Sequence, residues 1–178
     1  FSSRVARDFI SLLAETHRLS LSKVATETML HSIGTLIPYF IRIMFAEVYN
    51  AHRLNNERIT ARRVEELYRD RVLGVSCKGY FNHYYSRLHD YYQPREEKAV
   101  KSVLRQLALN EELSQGNCYQ SYLRVTGNAG DAEEFNGLMI DLENDFYISF
   151  DSANNTYRFA SKLLRDWWVR YYGMETIN

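Results

Sequence analysis

Two cysteines, no long apolar run and no excess of either charge remove several functions before any motif is read. Cys77 and Cys118 stand far apart and match no zinc or redox spacing, so two free thiols in a reducing cytosol are expected. No apolar stretch approaches the roughly 20 residues of a membrane span. The most apolar segment, residues 33–48, is broken by Pro38, Arg42 and Glu47. Residues 1–18 are amphipathic rather than uniformly apolar, unlike a signal peptide, and a cytoplasmic protein without a membrane partner is expected. A formal net charge of +0 removes the simplest case for a nucleic-acid partner. Hydrolase chemistry lacks its Gly-x-Ser-x-Gly elbow. Metal chemistry lacks His-x-x-x-His and Cys-x-x-Cys, and the six-residue steps between Cys77, His83 and His89 turn about 240° on a helix, separating the ligands. His17, His31 and His52 fall on different predicted helices.

Helical periodicity fills the first half. Val5, Phe9, Leu12 and Leu13 form one stripe of a first helix, and that stripe is expected to face inward. Ser20 or Ser22 can cap a second helix that runs towards Gly34. Pro38 suits the first turn of a third, where its missing N–H is no loss, and Phe40, Ile41, Met44, Phe45 and Val48 follow to about His52. Thr60 is a good N-cap for a fourth helix reaching about Val72, with Ile59 and Val64 at the spacing of a hydrophobic staple. Residues 74–79 break the pattern. A fifth, aromatic helix then carries Phe81, Tyr85, Leu88 and Tyr92 and stops at Pro94.

The second half reads as a helix over 96–112, a turn at Gly116 and Asn117, and a short helix over 119–125. A turn over 127–130 precedes a helix over 132–143, with Asp131 as its cap. Two aromatic and β-branched runs then flank the Asp-Ser-Asn loop at 151–155, which reads as a β-hairpin. A last helix holds Trp167 and Trp168, read as packing residues, one of which is expected to close the core with Arg165 or Arg170 outside. That order of helices and hairpin is a winged helix. The fold class expected is therefore mainly α: a helical bundle over 1–73, an aromatic linker helix over 74–94 and a winged-helix domain over 95–178.

Particular residues also carry a resemblance. Gly34 with Pro38-Tyr39-Phe40, Ile59-Thr60 with Val64-Glu65-Glu66-Leu67-Tyr68, and His83-Tyr84-Tyr85-Ser86-Arg87-Leu88 with Tyr91-Tyr92 are three of its motifs. The fourth and most specific is Tyr157-Arg158-Phe159 with Leu163-Leu164-Arg165-Asp166-Trp167-Trp168. Together they resemble the C-terminal part of the archaeal-type P-loop ATPases, relatives of the AAA+ and STAND groups, in which a nucleotide-binding core is followed by a helical lid and a winged helix. The departure is as informative. This chain has no Gly-x-x-x-x-Gly-Lys-Ser/Thr, the loop whose amides cradle phosphates, and no apolar strand ending in an acidic pair. The resemblance thus implies that the ATPase core, with its ATP and magnesium, lies before Phe1. The chain itself is expected to be a non-catalytic piece of a longer ATPase and to hold no cofactor. An arginine near the start of the third lid helix can reach the γ-phosphate in AAA+ relatives, which implies such a role for Arg42; a surface or inter-helix charge is its other reading.

The resemblance also implies partners: the protein's own ATPase core, and a protein bound by the winged helix. The third winged-helix helix and its flanks hold Asp131, Glu133, Glu134, Asp141, Glu143 and Asp145 with no Lys or Arg, so phosphates would be repelled. Asn136 is its one base reader, and the wing adds Asn154, Asn155 and Arg158. Asp131, Glu133, Glu134, Asn136, Asn154, Asn155 and Arg158 are the expected partner-binding residues; the bland alternative is a solvated charged face. A DNA-binding module is the competing function, working through the basic first helix (Arg95, Lys98, Lys101, Arg105) and last helix (Lys162, Arg165, Arg170). A plain scaffold comes third.

Overall fold

The computed structural model describes residues 1–127 and 131–174. Its contacts divide the chain into two compact units, Phe1–Tyr80 and Phe81–Asn178.

The first unit is all helical. Helices α1 (Ser3–Thr16) and α2 (Lys23–Ile33) are capped by Ser2 and Ser22, whose hydroxyls accept from Val5 N at 3.3 Å and Ala25 N at 3.1 Å. Pro38 opens α3 (Pro38–Asn55), and Phe40, Ile41, Met44, Phe45 and Val48 are all buried along it. Thr60 caps α4 (Ala61–Leu67), and both staple residues, Ile59 and Val64, are buried. The helix then widens into a π turn over Tyr68–Val72, closed by Leu73 N donating to Tyr68 O at 2.9 Å. Gly74 follows because nothing larger fits: an added Cβ would stand 2.2 Å from Asp70 O.

One expectation fails in α1. Its buried face is Ala6, Ile10 and Ala14, while Val5 and Leu12 are 46% and 59% exposed. The small residues face inward because they admit close packing of α1 on its neighbours. Of the larger stripe, Val5 and Leu12 are left outside while Phe9 and Leu13 are half-buried, so the unit covers that second apolar face only in part.

Helix α5 (Val75–Tyr91) runs across the division between units, and Gly79 lies within it rather than ending a break. In the second unit α6 (Pro94–Asn110) begins with a capping box, Gln93 N donating to Glu96 Oε2 at 2.9 Å. A short strand β1 (Glu112–Ser114) replaces the end of the predicted helix. Ser114 then caps α7 (Gln115–Thr126), so Gly116 and Asn117 are its first turn and not a loop. Of the predicted turn over 127–130, only Gly127 is among the described residues; it ends α7 at φ 64°. Asp131 caps α8 (Ala132–Asn144) as expected. The hairpin is β2 (Ile148–Asp151) and β3 (Thr156–Phe159), followed by α9 (Lys162–Tyr172).

The sheet is antiparallel in the order β1-β3-β2, with Leu113 and Phe150 both opposite Tyr157. Three helices, a three-stranded sheet and a β2–β3 wing make the winged-helix plan. Both tryptophans are buried, at 0% and 1% exposure, among Phe81, Phe159 and Tyr172. Arg165 is half-buried, held by Asp166 at 2.8 Å and Glu111 at 2.9 Å.

Candidate functional site

Helix α8 and the wing carry the expected partner-binding residues. The buried stripe of α8 is Phe135, Leu138, Met139 and Leu142, which fixes the rotation of the helix. Asp131 spends one oxygen on the cap, accepting from Glu134 N at 2.6 Å. Glu133 is exposed, whereas Glu134 is half-buried with Arg95 Nη2 at 4.0 Å from Oε2. Burial, reinforced by Glu134, pushes the neighbouring Tyr122 hydroxyl up to about 12.

Gln115 ties α8 to the wing. Its side-chain amide donates to Asn136 Oδ1 at 3.4 Å and its backbone N–H to Asn155 O at 3.2 Å. Asn136 and Asn155 are thereby brought to one place. Asn155 sits at φ 53°, a conformation Asn tolerates better than most residues. At the wing tip Asp151 is occupied internally: Asn154 Nδ2 donates to one oxygen and Ala153 N to the other, both at 2.9 Å. Those bonds, Asn154's first, hold the Asp151 carboxyl below its ordinary range. Arg158 is exposed on β3, opposite Glu112 and Ser149 in the sheet. Asp131 and Glu133, by contrast, lie at the start of α8, and among the described residues neither is hydrogen-bonded to Asn136, Asn154, Asn155 or Arg158.

Three residues of this face escaped the sequence reading. Gln115 was hidden by the predicted turn after it. Ile140, 58% exposed, lies off the buried stripe, and its phase with Glu133 seven positions earlier was the available signal. Phe146 stands 73% exposed at φ 61°, just past the end of α8, where the aromatic run before the hairpin gave no sign of an outward ring.

The basic residues of α6 and α9 are mostly engaged. Lys101 contacts Glu97 at 2.5 Å and lies 3.9 Å from the Tyr85 ring centre; Arg105 Nε donates to Gly173 O at 2.9 Å. Lys162 and Arg165 share Asp166. In the first unit Arg42 is exposed on α3. Cys77 and Cys118 are buried free thiols, both pushed up to about 12 by burial, which makes them poor nucleophiles. Cys77 is also a donor to Glu47 Oε1 at 3.6 Å. Among the described residues no cluster of three or more His, Cys, Asp or Glu can hold a metal ion, and no helix is long and apolar enough to cross a membrane.

No family model matches this chain, and no curated protein does. Among solved structures it is similar to the Walker-type ATPase PABY2304 of Pyrococcus abyssi, with a TM-score of 0.63 and 17% identity. The similarity covers 94% of this chain and 41% of that one, so this chain spans well under half of the protein it matches. At that identity the shared property is the fold alone.

Proposed function

We propose that this chain is the non-catalytic C-terminal region of an AAA+/STAND-like ATPase, in which a helical lid couples nucleotide state to partner binding by a winged helix. The observation that carries the reading is the match of nearly the whole chain to a minor part of a Walker-type ATPase. It agrees with the missing phosphate-binding loop: ATP and magnesium would belong to a nucleotide-binding core outside these residues. The outward apolar stripe of α1 is a second support, since Val5 and Leu12 offer a face on which such a core can pack. Exposed Arg42 is free to meet a phosphate supplied from outside the unit, as a nucleotide sensor would. The winged helix would then present α8 and the wing to a protein partner, through Asp131, Glu133, Glu134, Asn136, Asn154, Asn155 and Arg158.

The competing DNA reading has less to stand on. Its basic helices are largely paired internally, and α8 would face the duplex with carboxylates.

The test uses a longer form of the protein in which this chain is joined to the proposed nucleotide-binding core. It is expected to bind magnesium-ATP, and Arg42→Ala is expected to slow ATP turnover by at least about tenfold with folding intact. A longer form without any affinity for nucleotide would overturn the ATPase reading. Full turnover in the Arg42→Ala variant would remove the sensor role alone.

A further inference from the structure

The exposed face of α8 is built for a ligand of one kind. Ile140 stands at its centre, with Glu133 about 20° away and Asn136, Gly137, Glu143 and Asn144 within about 60°. Gly137 leaves open space beside Ile140, since an added Cβ would meet nothing within 4 Å. A partner backbone can therefore come close to the helix there. Among the described residues neither Glu133 nor Asp141 has an ion-pair partner, although carboxylates elsewhere in this unit do: Glu97 with Lys101, Asp166 with Lys162, Asp145 with Arg87. The helix carries no cation of its own.

Phe146 adds an independent oddity. It holds φ 61° at the end of α8, a position that favours glycine, yet it is a bulky ring left 73% exposed. The helix end holds that backbone itself, Phe146 N donating to Glu143 O at 3.0 Å and Tyr147 N to Leu142 O at 2.9 Å, so the exposed ring is the part left unexplained. A bulky ring left in solvent at the end of α8 is expected to be covered by something else.

We propose that this face docks a basic amphipathic peptide segment of a partner protein, its apolar side chains on Ile140 and Phe146 and its Lys or Arg side chains on Glu133, Asp141 and Glu143. The proposal rests on the reading of the winged helix as a protein-binding module and names the chemistry of its partner. Charge complementarity selects the occupant. A duplex is repelled, an acidic segment likewise, and a polyamine would leave both apolar side chains in water.

The test is fluorescence anisotropy with this 178-residue chain and a labelled model helix whose Leu residues follow a 3,4 spacing with Lys on either side. Micromolar binding is expected, weakening with salt, and absent for the same peptide with Glu in place of Lys. Ile140→Asp should weaken it at least about tenfold. Phe146→Gly should weaken it while raising the midpoint of thermal unfolding, since glycine suits that backbone; lost binding is then not lost folding. Lysine-peptide binding that both variants retain would overturn the proposal as mere charge attraction, and so would equal binding of the Glu peptide. A labelled random duplex, titrated in parallel, separates the two levels. If neither probe binds, the docking site fails and the ATPase reading stands; if the duplex alone binds at low salt, the protein-binding reading of the winged helix fails with it.

Discussion

The unit Phe1–Tyr80 buries mainly aliphatic side chains, with Ile10, Met29, Ile33, Ile41, Met44 and Leu67 beside Phe40 among its most enclosed residues. The unit Phe81–Asn178 adds five fully enclosed rings to its aliphatic core: Trp167, Trp168, Tyr122, Tyr147 and Phe81. Charge divides as unevenly. The first unit has 12 Lys and Arg against 8 Asp and Glu, a formal +4; the second has 10 against 14, a formal −4. A neutral total thus conceals two surfaces of opposite sign, and the net charge of the chain says little about what either binds. The difference in cores has its own consequence. Both tryptophans lie in the second unit, so indole fluorescence follows that unit alone.

The sharpest way to break the comparison is to empty each core in turn. Trp167→Ala removes the largest ring from a site at 0% exposure and is expected to destabilise the second unit by about 3–5 kcal/mol. Met44→Ala should destabilise the first by about 2–5 kcal/mol. In a denaturant titration, Trp167→Ala should shift the remaining indole signal, while Met44→Ala should shift part of the helical circular dichroism and leave the indole midpoint in place. A single shared transition displaced equally by both variants would show that the units unfold as one.

Trp167→Phe sharpens the same point. Among the described residues the buried Trp167 indole N–H has no hydrogen-bond partner, a cost that phenylalanine removes while keeping most of the ring. Its loss is expected to stay within about 1.5 kcal/mol, far below that of alanine. A loss as large as alanine's would mean that the indole N–H has a partner in solution. Caps come next in size. Thr60→Ala in the first unit and Ser161→Ala in the second each remove one hydroxyl acceptor from a helix start and should cost about 1 kcal/mol. Each should move only the transition of its own unit.

The elements whose local chemistry decides their shape were legible from sequence. Ser22, Thr60 and Asp131 cap where expected, Pro38 begins a helix, and the loop after Asp151 turns a hairpin. What escaped was decided by packing. Val5 and Leu12 look like a core stripe, but the neighbouring Ala6, Ile10 and Ala14 allow a closer approach, and tertiary packing chose them. Strand β1 is three residues long and exists because β3 offers a free edge, which no local pattern announces. On the candidate face the carboxylates were visible as a run of charge. The bridge from Gln115 to Asn136 and Asn155 was not, because it joins residues from three elements.

The smallest expected effect concerns the charges inside the second unit. Lys101 first, and then His89, hold the Glu97 carboxyl below its ordinary value of 4.5. Glu97 has Lys101 Nζ at 2.5 Å and His89 Nδ1 at 3.0 Å, and its side chain is only 15% exposed. A carboxylate with a folded pKa below its unfolded one binds fewer protons when folded, so stability rises with pH across that interval. The contribution is fully present above about pH 4.5 and disappears as pH falls through the lower, folded value. Glu97→Gln should therefore cost up to about 1 kcal/mol near neutrality and progressively less as pH falls below about 4.5, with indole fluorescence as the readout. The wild-type midpoint would approach that of the variant on acidification. Parallel curves, offset by the same amount at every pH, would place the effect of Glu97 in packing and not in its charge.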